Sequence, residues 1–223
     1  MNEQAVSFTR GIDALESMPR RGHDDDAIAL ARRLLAQAEA GLPAEAALAQ
    51  SVNFVGVVFS NRAFDVEARR AFTLALDLLQ RSMPSDDALL AKLHNNLGQL
   101  DQRDGELEAA EHHLETSLAL WSAPGTSPTA ERAFAADNLA AVLSQRGQHD
   151  RAEPLHLEAL KLLQGLGPQR RADVATVHGN LGLLYRRRGA SWHVRRPACC
   201  AASTPICAWN RWRWAARSFR WST

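Results

Sequence analysis

Tyrosine occurs once in this chain of 223 residues, at Tyr185. Residues that favour sheets are few, while alanine, leucine, glutamate, glutamine and arginine are plentiful, so helix is expected over strand. No apolar run approaches the ~18 residues of a membrane span. The start, Met1-Asn2-Glu3-Gln4, lacks the basic residues and apolar stretch of a secretory signal, and we expect a cytoplasmic protein. Phosphate-binding loops, nucleophile elbows and paired-carboxylate motifs are missing. We therefore expect no enzyme, no cofactor and no small-molecule substrate. Acidic residues are absent after Asp173, cysteine before Cys199 and, Trp121 apart, tryptophan before Trp192.

The net charge of +1 conceals this asymmetry. Residues 1–173 hold 17 basic and 25 acidic residues, a net of −8. Nine arginines and no acid follow. The two parts read as different kinds of sequence.

What is present is a returning triplet: Asn96-Leu97-Gly98, Asn138-Leu139-Ala140 and Asn180-Leu181-Gly182, each 42 residues after the last. Gly105, Gly147 and Gly189 follow in register, as do Ala110-Glu111 and Ala152-Glu153. A constant period of this size signals stacked supersecondary units.

Residues 1–23 are weakly patterned and expected to be weakly ordered, although a short amphipathic helix over about 3–17 fits them. Asp24, Asp25 and Asp26 suit the positive end of a helix dipole, so a helix begins there and ends at Gly41 and Pro43. A worn copy of the repeat spans 44–81, with Phe54 and Ala63 in place of the asparagine and the turn glycine. Clear copies span 86–121 and 128–164, with Ser127-Pro128 as a helix start. A half copy spans 170–188. Each copy predicts two amphipathic helices joined at the glycine. The small residues Gly98, Ala140 and Gly182, facing Ala110 and Ala152, let the two approach closely.

The stretches HNNLGQLDQRDGELEAAEHHLETSLALW, DNLAAVLSQRGQHDRAEPLHLEALKLL and VATVHGNLGLLYRRRG resemble the tetratricopeptide repeat, in the 42-residue variety of kinesin light chains and many bacterial signalling proteins. The likeness covers 86–189 well and 44–85 loosely. It implies an all-α solenoid over 24–189, wound as a right-handed superhelix, that binds a peptide or partner protein without catalysis. The first helix of each hairpin would line the groove. That puts Asn95, Asn96, Gln99, Arg103, Asn138, Gln145 and Asn180 on or beside it, where amides can bond an extended backbone. The alternative is that these asparagines tie neighbouring hairpins together. The family's carboxylate clamp is not expected, because its positions hold Asn95 and Gln99, then Asp137 and Ala141.

His112 and His113, beside Glu111 and Glu115, point about 100° apart on a helix and do not converge on a metal. A solvated helix face is expected there. His94 and His178 share a repeat position two units apart.

The segment 190–223 can be read as a cationic, tryptophan-rich binder of nucleic acid or membrane. It can also be read as translated out of frame. Every tryptophan or cysteine codon begins TG, so starting at the preceding base yields Leu, Met or Val. The shifted stretch can spell GELARAEACLLRSL, close to GELEAAEHHLETSL at 105–118. On that reading the segment is not native, neither nucleic acid nor membrane is a partner, and the repeats could be the regulatory part of a longer signalling enzyme.

Overall fold

The computed structural model describes residues 3–18, 24–43, 45–82, 86–123 and 129–188. Over these residues the chain is an all-α solenoid with no strand. The helices are α1 (Glu3–Ser17), α2 (Asp24–Glu39), α3 (Ala46–Ser60), α4 (Asp65–Arg81), α5 (Asp87–Asp104), α6 (Leu107–Trp121), α7 (Ala130–Gln145), α8 (His149–Gly165) and α9 (Arg171–Arg187). A single 3-10 turn, Pro168–Arg170, precedes α9. Gly189 and the segment 190–223, together with Ser127 and Pro128, lie outside the described residues. The start of α7 is instead made by Thr129, whose hydroxyl accepts a bond from the Arg132 amide at 3.2 Å.

Three hairpin turns share one construction. The amide of the residue after the turn bonds five residues back: Phe64 to the Phe59 carbonyl (3.1 Å), Glu106 to Asp101 (2.9 Å) and Gln148 to Leu143 (2.8 Å). This closure requires a left-handed residue at the turn. Gly105 and Gly147 supply it with φ of 85° and 76°. Ala63, at the equivalent place, is forced to φ 60° despite its Cβ.

Close approach of paired helices follows from the small residue in the first. A Cβ on Gly98 would lie 2.7 Å from Leu114 Cγ, and one on Gly56 would lie 2.5 Å from Phe72. Those partners are fully buried, so neither glycine site has room for a methyl group without repacking.

In residues 1–23, expected to be weakly ordered with a short amphipathic helix fitting about 3–17, that helix is present as α1 (Glu3–Ser17). It buries Ala5, Phe8, Ile12 and Leu15 and packs on α2 and α3. A Cβ on Gly11 would lie 2.5 Å from Leu34, the same close approach seen in the later pairs. The pair escapes the sequence period because Gly11 precedes Gly56 by 45 residues while Leu34 precedes Phe72 by 38. Its apolar face is nonetheless helical in spacing and meets the exposed end of the stack.

The apolar core forms two clusters, one from α1 to α5 and one from α6 to α9. The α5–α6 hairpin, whose helices meet at Gly98 and Leu114, also holds the buried or half-buried polar side chains of His94, Asp101, Glu111, His113 and Ser117.

Candidate functional site

The recurring asparagines sit on the first helix of successive hairpins, and each bonds a polar residue on the first helix of the hairpin before it. Asn96 Nδ2 donates to Asn53 Oδ1 at 3.0 Å, Asn138 Nδ2 to Asn95 Oδ1 at 2.9 Å, and Asn180 Nδ2 to Asp137 Oδ2 at 2.8 Å. Every rung joins residues 43 apart, one more than the repeat. Adjacent first helices therefore lie side by side with a one-residue offset. Asn53, Asn95, Asn96, Asn138 and Asn180 are half-buried, whereas Asp137 is buried. Asp137 also accepts from the His156 ring at 2.6 Å, so the third rung extends into its own second helix.

An amide carries two hydrogens and an oxygen with two lone pairs. One hydrogen bond per rung leaves further hydrogens and lone pairs at each asparagine pair. The rungs thus link hairpins and still carry polar groups along the half-exposed face.

The other expected residues divide. Gln99 is half-buried on α5 and Gln145 is exposed at the end of α7. Arg103 is bound within the array: its guanidinium pairs with Asp65 at 2.7 Å and donates to Ser60 at 2.9 Å. This contact is one of four. Arg62 with Asp24, Arg103 with Asp65, Arg146 with Glu108 and Arg188 with Asp150 each join residues 38 apart, at 2.7–2.8 Å. Each arginine ends a first helix and each acid begins the preceding second helix, the charge placement that suits both dipoles. Arg146 also pairs with the largely buried Glu111, which takes a second bond from Arg151 at 2.8 Å.

Sequence reading missed Asn53 and Asp137 as rung acceptors. The signal was present: Asn53, Asn95 and Asp137 recur at the 42-residue step, one place before the asparagine position.

His112 lies on the solvated face, as expected, but His113 turns inward. Its Nδ1 stands 2.9 Å from His94 Nδ1. Among the described residues no group of three or more histidines, cysteines and acids is placed to hold a metal. No described helix is long and apolar enough to cross a membrane.

Residues 131–196 match the family model of the tetratricopeptide repeat. The chain carries tetratricopeptide repeats. Solved structures agree on the fold. BtubC (BKLC) from P. vanneervenii is 24% identical with a TM-score of 0.57, the match covering 81% of this chain and 66% of that one. A putative kinesin light chain of Podosopora anserina with nearly identical TPR-like repeats is 14% identical with a TM-score of 0.64, covering 85% and 90%. MamA is 18% identical with a TM-score of 0.58, covering 85% of each chain. No curated protein matches the chain's sequence. The chain spans slightly under two thirds of BtubC, and about nine tenths of the Podosopora repeat protein.

Proposed function

We propose that this tetratricopeptide-repeat array is a non-catalytic scaffold that receives an extended peptide segment of a partner protein along the face made by α3, α5, α7 and α9. The observation that carries this reading is the asparagine ladder. It places amide hydrogens and carbonyl oxygens at one step per hairpin on a half-exposed surface. An extended backbone offers the same alternation of donor and acceptor, and its desolvation is offset only where such partners wait for it. On the same first helices stand Phe54, Val57, Phe134, Ala141 and Leu183, all half-exposed, which suit apolar side chains of the same segment. The identity of the segment is set by groups beyond the ladder.

The test is affinity capture with the full chain followed by a blocking variant. Ala141→Arg adds a long charged side chain on α7 and removes no hydrogen bond of the ladder. Partners bound through this face are lost with Ala141→Arg at unchanged melting temperature. Partners retained by that variant bind elsewhere, and the reading fails.

A further inference from the structure

The polar side chains set into the α5–α6 hairpin have a composition of their own. His94 and Asp101 come from α5, and Glu111, His113 and Ser117 from α6. At the positions of His94 and His113, the preceding hairpin has Val52 and Ala71 and the following one Ala136 and Leu155. The histidine pair therefore belongs to this hairpin alone among the three complete copies.

Its geometry permits one proton fewer than two ordinary histidinium ions carry. Two Nδ1 atoms 2.9 Å apart form a hydrogen bond only when one is N–H and the other a lone pair. A proton added to the acceptor nitrogen sets two N–H groups against each other. A second partner waits on the far side of the His113 ring. Asp101 Oδ2 lies 3.8 Å from His113 Nε2, and this oxygen is buried with no hydrogen-bond partner. A ring movement of about 1 Å brings that separation to a hydrogen bond.

We infer that when both rings become protonated His113 exchanges partners, leaving His94 for Asp101, and that this exchange loosens the α5–α6 hairpin. The neutral state holds the two helices through the imidazole pair. One added proton leaves that bond in place; with two, both facing nitrogens carry hydrogen, and His113 turns to Asp101, which ties α6 to the last turn of α5.

The surrounding charges set where the exchange falls. Burial, then His113 and His112, hold the His94 ring below the ordinary imidazole range of about 6.5. Burial also lowers His113; Asp101 raises it in part, while His112 and Arg69 lower it again. Arg69, from α4, is bonded to Asp101 at 2.6 Å and blunts its pull. Both rings thus bind protons more weakly folded than unfolded. Stability is full above about pH 6.5 and is lost as pH falls through that value towards the lowered folded values. Because Asn95 and Asn96 follow His94 directly on α5, two rungs of the ladder move with it.

Segment-resolved hydrogen exchange on the full chain at pH 7.5 and 5.5, corrected for intrinsic rates, tests this. Protection in α5–α6 should fall relative to α1–α2 by up to about tenfold per pH unit for each ring that titrates. His94→Ala with His113→Leu, the pair that the next hairpin uses, should abolish the difference. Should that variant not fold, His94→Gln, with an uncharged amide against His113, should reduce it. Asp101→Asn should move the midpoint of the His113 imidazole signal to lower pH by removing the carboxylate. An acid loss spread evenly over the array, one that persists without the histidines, or an unmoved His113 midpoint overturns the inference. His178 in α9 is held low by burial and can loosen its own segment, which the segment resolution separates. Peptide binding is not read in this experiment, so its outcome leaves the proposed groove untouched.

Discussion

Ala63 shows at one residue how a repeat can drift from its own rules. The hairpin closure fixes the backbone of the turn, and the side chain must tolerate it. A non-glycine residue in the left-handed region costs roughly 1–2 kcal/mol. Glycine at that site relieves the strain but loses about 0.5–1 kcal/mol to its freer unfolded chain. Ala63→Gly should therefore stabilise the protein by up to about 1 kcal/mol, seen as a higher denaturation midpoint at unchanged slope. The asparagines teach the converse lesson. Their identity was legible because they recur, but their partners were not. A rung pairs Asn138 with Asn95, a residue of the previous hairpin displaced by one from the repeat register. That offset comes from how first helices lie against each other. Arg103 is a similar case: a residue expected beside the groove is engaged by Asp65 and Ser60.

Helix pairs are held by close approach rather than by amphipathic pattern alone. Gly98 packs on Leu114, and both are buried. A methyl group there must displace Leu114 from a filled site, at about 1–3 kcal/mol. Gly98→Ala should lower the melting temperature accordingly and should leave α1–α2 protection in hydrogen exchange unchanged. Ala140 occupies the same place in the next hairpin, where the facing residue is His156, drawn to Asp137. The small residue and its partner must thus be read together. The pattern of α5 and α6 was clear from leucine spacing, yet the inward turn of His113 was not. Nothing in a run of two adjacent histidines says which faces solvent. The neighbouring helix decides, by offering His94 to one of them.

Across the whole molecule, stability passes from hairpin to hairpin, as expected of an array in which each unit contacts its neighbours. The arginine clamps repeat along it, but Asp24, Glu108 and Asp150 are 65%, 79% and 88% exposed. Exposed pairs contribute about 0.2–1 kcal/mol each at most, so these clamps fix register more than they add stability. The apolar junctions carry the larger share. Phe8 is fully buried where α1 closes the N-terminal end. Phe8→Ala should cost about 3–5 kcal/mol at that end. In hydrogen exchange the loss should concentrate in α1–α3 and spare α8 and α9.

The sequence by itself determined the helical class, the 42-residue unit, the turn positions and the small residues at which paired helices meet. These are local or strictly periodic, and a chain repeating a pattern displays it without being folded. The tertiary structure alone decided that the helix over residues 3–17 docks on α2 and α3, that the asparagines bond across hairpins, and that His113 faces His94. The first two depend on contacts between units whose register differs from the repeat, by one residue in the ladder and by several in the first pair; the third depends on how the two helices of one hairpin meet. Side chains find such partners only when packed helices bring distant segments to within hydrogen-bond reach.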